Sequence, residues 1–106
     1  MKVIQKQPGG TLPEYSIDGT DIIVKGVAID TAARQQDGAV LVEIRVQEGQ
    51  AVEGGVGDYL AQIDIPARRY VEEDGPLDED GRPTTIRTPV PLDPNRVTVT
   101  LWPQKQ

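Results

Sequence analysis

Ala39-Val40-Leu41-Val42-Glu43-Ile44-Arg45-Val46-Gln47 is the stretch on which the fold turns. Val40, Val42, Ile44 and Val46 fall at every second position, with Leu41, Glu43, Arg45 and Gln47 between them. A period of two sends successive side chains to opposite faces, so the segment reads as a strand with one face in a core. Downstream, the same alternation returns in Tyr59–Ile65, where Ala61, Ile63 and Ile65 oppose Leu60, Gln62 and Asp64. It returns again over 96–102, where Val97, Val99 and Leu101 oppose Thr98, Thr100 and Trp102. Between the first two strands, 48–58 reads as a Gly-rich connection. Pro66 stops the second or places it at an edge. Residues 68–73 and 84–88 look like two arms of a hairpin across an acidic loop, turned by Asp80-Gly81. Pro89, Pro91 and Pro94 punctuate an extended strap.

Upstream, Asp18-Gly19 suggests a tight turn between 15–17 and 20–24. Ile22 and Val24 share one phase, Val27 and Ile29 the opposite one. A β-bulge at Gly26 would reconcile them, so 20–29 is read as one bulged strand. Asp30 can cap a single helical turn ended by Gly38. The expectation is an all-β fold, a small β-sandwich or partly open barrel of about six or seven short antiparallel strands, with at most one helical turn near 31–36. Residues 1–13 read as a flexible N-terminal arm, 14–103 as a single β domain and 104–106 as a polar tail.

Composition narrows the chemistry. The chain has 106 residues and 11.5 kDa, enough for one domain. Val, Ile and Leu supply 27 residues and Phe none, so the core must be aliphatic. Only Tyr15, Tyr59, Tyr70 and Trp102 are aromatic. With no His, no Cys and Ser16 as the single serine, there is no Ser–His–Asp triad, thiol nucleophile, disulfide or Cys/His zinc site. A net charge of −6 argues against nucleic acid as a partner. No run approaches a membrane span or a signal peptide, so the expectation is a cytoplasmic protein, or a virion-associated one if phage-derived.

Glu72, Glu73, Asp74, Asp78, Glu79 and Asp80 put six carboxylates in nine residues. Asp74, Asp78 and Asp80 are the cation-site candidates, but an EF-hand frame laid on them finds Pro76 at its first position and Arg87 at its last. We expect instead a mobile, solvated loop that binds divalent cations weakly. Arg68 and Arg69 point to opposite faces of a strand and pair more readily with the acidic run than with a phosphate. Paired carboxylates could in principle carry a hydrolase reading, and Glu43 and Asp64 are the ones most firmly placed on strands.

The segment Gly49-Gln50-Ala51-Val52 followed by Gly57-Asp58-Tyr59-Leu60-Ala61-Gln62-Ile63 resembles part of the biotinyl/lipoyl-domain pattern. Here the spacing from Val52 to Gly57 is two residues longer, and Asp64-Ile65-Pro66 stands where that family carries Met-Lys. No lipoyl function follows, and no cofactor is expected. Pro91-Leu92-Asp93-Pro94 matches P-x-x-P in form only, because Asp93 opposes an acidic groove. Val3, Ile4 and Trp102 are the candidate interaction surface. Trp102 either lies under a second core layer, the reading favoured here, or stands exposed as a contact.

These features point to a non-catalytic small acidic β domain acting as a structural or protein-interaction module, with a protein partner or self-association. Acidic β modules with arms are common in phage and prophage particles, a fold-level analogy. The alternative is a small-ligand or cation-binding module using loops 48–58 and 72–81.

Overall fold

The structure, a computed structural model, describes residues 1–6 and 10–103. Among these the chain is all-β. In order, the elements are β1 (Lys2–Gln5), β2 (Tyr15–Asp18), β3 (Asp21–Val24), β4 (Val27–Asp30), α1 (Thr31–Arg34), β5 (Val40–Gln47), β6 (Gln50–Glu53), β7 (Tyr59–Ile65), β8 (Tyr70–Asp74), β9 (Thr85–Pro89), a 3-10 turn (Pro94–Arg96) and β10 (Thr98–Leu101). The main sheet has the order β1-β10-β7-β5-β6, a second sheet is the meander β2-β3-β4, and β8-β9 form a two-stranded ribbon.

The alternation that identified β5, β7 and β10 builds the core. Val42 and Val99 both pair with Ile63, and Ile44 and Leu101 both pair with Ala61, so one face of the main sheet carries aliphatic rows. Ile22, Val24 and Ile29 of the meander pack on these rows, and all of them are buried. Val97 joins them, while Val40 and Val46 sit half-buried at the margin.

Residues 20–29 are two strands, not one bulged strand. Lys25 (φ 48°) and Gly26 (φ 85°) form a two-residue turn with both φ values positive, the geometry that suits the twist of a hairpin. In such a hairpin Val24 and Val27 stand directly opposite each other on one face, which produces the phase change that a bulge would also give. Glu48 (φ 53°) and Gly49 (φ 79°) repeat the device, so 48–58 contains strand β6 in addition to loop. These hairpins, together with β1, raise the strand count to ten.

The expected arm is partly a strand. Lys2–Gln5 lies parallel to β10 with Val3 opposite Val99, and the Lys2 and Lys6 amides donate to the carbonyls of Val97 and Leu101. The reason is backbone satisfaction: β10 would otherwise present an open edge, and four residues need no apolar period to cover it. All other pairings are antiparallel. Part of the expected arm, residues 7–9, and the expected polar tail, 104–106, lie outside the described residues.

The helical turn is α1, capped by the Asp30 carboxylate, which accepts from the Ala33 amide at 3.1 Å. It ends at Gln35 and not at Gly38, because Gln35 turns extended and its side-chain Nε2 donates to the Pro66 carbonyl. No helix among the described residues is long and apolar enough to cross a membrane.

The molecule is long. Its extents are 69 × 24 × 19 Å, and it exposes 7072 Å². A compact chain of this mass would expose roughly 5,800 Å². β5, the longest strand, spans only about 26 Å at ~3.3 Å per residue. The remaining length is the ribbon continuing outward from the end of β7.

Candidate functional site

β5 begins at Val40, beside Ile65 at the end of β7, and finishes at Gln47 against the turn Glu48–Gly49. These two ends of the sheet are the two poles of the molecule, and each carries one candidate site.

At the Ile65 pole the chain passes Pro66 and enters the ribbon. Its root is tied to the loop after α1. The Arg68 amide donates to the Gln36 carbonyl at 2.8 Å, the Arg68 guanidinium donates to the Gln35 carbonyl at 2.9 Å, and the Tyr70 hydroxyl donates to Asp37 at 2.5 Å. The Arg87 guanidinium lies 4.4 Å above the Tyr70 ring. Register puts Val71, Thr88, Glu73 and Ile86 on one face of the ribbon, and Tyr70, Pro89, Glu72, Arg87, Asp74 and Thr85 on the other. Val71 and Ile86 are 46% and 47% exposed, so the face they share is open to solvent.

The acidic stretch is divided between strand and turn. Glu72, Glu73 and Asp74 are strand residues. The Asp78 carboxylate accepts from the amides of Asp80 (2.9 Å) and Arg82 (2.7 Å), and the Asp78 amide donates to the Arg82 carbonyl. Asp78 is thereby committed to its own turn. Asp74 sits on β8, Asp80 projects from the turn, and no group of three or more carboxylates among the described residues is placed to hold a metal ion. Leu77, beside Asp78, is 68% exposed.

At the opposite pole the two sheets part in a mouth of about 530 Å³. Its wall includes Val46, Ala51 and Leu60, Tyr59 and Trp102, and Lys25, Gln50 and Asp58. A bulge shapes this wall. Ile44 pairs with Ala61 and Arg45 with Tyr59, so Leu60 is the extra residue of β7. The shift turns Leu60 inward, 2% exposed, where simple alternation had placed it on the outer face, and it puts Tyr59 beside Arg45.

Tyr59 is held in place by its neighbours. Trp102 stacks on it with centroids 4.9 Å apart and planes 24° from parallel, and the Arg45 guanidinium lies 3.9 Å from the ring centroid. Arg45 donates to the Tyr59 hydroxyl at 2.5 Å, to Glu43 at 3.0 Å and to the Gly57 carbonyl at 3.3 Å. Trp102 is therefore half-buried, and among the described residues no second core layer lies over it. Arg45 engages Glu43, and Asp64 lies exposed two residues farther along β7 than the Gln62 that faces Glu43, so the two carboxylates do not frame a cleft.

The candidate interaction residues divide. Val3 packs on the core, whereas Ile4, 38% exposed, lies on the outer face of the main sheet beside Thr100. The sequence reading named loop 48–58, which lines the mouth through Gly49, Gln50, Ala51 and Asp58, but missed the contribution of Lys25 and Trp102 to it. It also missed that loops 48–58 and 72–81 stand at opposite poles and cannot share one ligand. No family model, curated protein or solved structure matches the chain.

Proposed function

We propose that this protein is a non-catalytic structural or protein-interaction module of a larger assembly, such as a phage or prophage particle, with the ribbon as its docking element. The observation that carries this reading is the projecting pair β8-β9. An isolated two-stranded ribbon is marginal in water, and here it leaves Val71, Ile86 and Leu77 exposed. Segment 70–89 sets six carboxylates against Arg82 and Arg87, a net −4 of the chain's −6. That charge keeps the edges from indiscriminate pairing. A partner that covers the ribbon gives it the support it lacks in isolation.

Replacing residues 72–87 with an Asn-Gly turn tests the assignment. The shortened protein is expected to unfold in urea within about 0.5 kcal/mol of the full chain, as befits an element outside the core. Loss of the cooperative transition would make the ribbon part of the folding unit and sink its role as a docking arm.

The mouth favours a second reading, a binding site for a small polar ligand. Its volume lies within the roughly 300–1,000 Å³ of small-molecule sites. Trp102, the only tryptophan, stands in its wall, so binding would change the emission of one residue. Absence of any saturable change across a panel of sugars and amino acids would remove this alternative.

A further inference from the structure

We infer that the outer edge of β8 receives a basic, extended segment of a partner protein as an added strand. This rests on the ribbon being a docking element and goes further by naming the edge and the chemistry of the strand it takes. Among the described residues β8 and β9 pair only with each other, so each has one side without a ladder. The phase of their shared ladder is fixed at its two ends. The Gly75 amide donates to the Thr84 carbonyl at 2.9 Å, and the Val90 amide to the Arg69 carbonyl at 2.8 Å. Bonded positions alternate along an antiparallel pair, so 69, 71, 73 and 75 bond toward β9. Tyr70, Glu72 and Asp74 therefore turn both N–H and C=O outward. On the opposite side Thr85, Arg87 and Pro89 face outward, but Pro89 has no N–H to donate.

The side chains then select the occupant. Glu72, Glu73 and Asp74 are consecutive and exposed, so the edge of β8 carries carboxylates on both faces. Among the described residues none of the three is held in an ion pair. Arg87, across from Glu72, lies over the Tyr70 ring instead. A strand laid on this edge sets its side chains directly opposite 71–74, where Lys or Arg beside each acid stabilises the pairing and a like charge opposes it. Two β8 edges brought together would set carboxylate against carboxylate, which turns away a second copy. The edge of β9 carries Arg87 and lacks one donor, so it is the poorer place for a basic strand. Of the two edges, that of β8 alone joins a full set of backbone groups to uncompensated negative charge. Val71, 46% exposed, favours one apolar neighbour on the incoming strand.

Fluorescence anisotropy of labelled peptides on the full chain tests this. The probe is Thr-Lys-Lys-Lys-Val-Thr, blocked at both ends. In antiparallel register its lysines meet Asp74, Glu73 and Glu72, and its valine meets Val71. Saturable binding is expected, with a dissociation constant below about 1 mM. The same peptide N-methylated at its first and third lysines keeps its charge but loses the amides that face Asp74 and Glu72. It should bind about tenfold more weakly. A protein carrying Glu72→Gln, Glu73→Gln and Asp74→Asn should also lose about tenfold for the unmethylated probe. Three results would each overturn the inference: equal binding of the methylated peptide, undiminished binding by the neutralised variant, or no saturation by about 1 mM. The methylation arm uses the unmodified protein, so it decides the matter even if the variant does not fold. None of these outcomes touches the ribbon-shortening experiment, which judges the docking-arm reading separately.

Discussion

A methyl group added at Gly57 would stand 1.8 Å from the carbonyl oxygen of Val46, a backbone atom that cannot swing aside. The same loop fixes β5, because the Val46 amide donates to the Asp58 carbonyl at 2.8 Å. Gly57→Ala should therefore cost about 1–3 kcal/mol or more in a urea melt. Gly38→Ala, where nothing lies within 4 Å and φ is not positive, should stay within about 0.5 kcal/mol. A second prediction concerns charge. Arg34 of α1 grips Glu53 of β6 with two bonds of 2.8 and 2.6 Å, and those bonds hold the Glu53 carboxyl below its ordinary range. A carboxyl whose folded pKa is depressed contributes stability above its unfolded pKa and loses it as pH falls through the folded value. Thermal melts of Glu53→Gln and the parent should thus differ at about pH 7 and converge at about pH 3. The difference will be small, since the pair is exposed.

Among the elements, the hairpins joined at Lys25–Gly26 and Glu48–Gly49 put a charged residue in the left-handed region, at φ 48° and 53°. Asn tolerates that region better, so Glu48→Asn should raise stability by about 0.5 kcal/mol, read as a higher urea midpoint with unchanged slope. The same two turns mark the limit of what was legible in the sequence. Val40 to Val46, Ala61 to Ile65 and Val97 to Leu101 declared their strands because burial on one side writes itself as alternation. At Val24 and Val27, a bulge and a two-residue hairpin leave the same trace in the phase, and turn preference alone did not separate them, because Lys and Glu are uncommon first residues for such turns. β1 was illegible for another reason: its pairing is a backbone matter, settled by the open edge of β10 and not by its own side chains. At the mouth, Leu60 looked like an outer residue because a bulge opposite Ile44 and Arg45 is a property of two strands together. The acidic hairpin was visible, its outward reach was not.

For the whole molecule, a Cα radius of gyration of 18.7 Å compares with about 13 Å for a compact chain of this length. Small-angle scattering of the full chain should return the larger figure, and replacing 72–87 with a turn should bring it down toward the smaller one. A curve already matching a compact sphere would mean that the ribbon folds back on the body. The parallel seam between β1 and β10 has its own consequence, for the order in which the chain assembles. Lys2 meets Thr98 across nearly the whole sequence, so this strand has no partner until the last one is in place. Closing so long a loop is slow relative to the local hairpins β3-β4 and β5-β6. During synthesis β1 must therefore wait for β10, and in that interval it can pair instead with the open edge of β10 in a neighbouring chain.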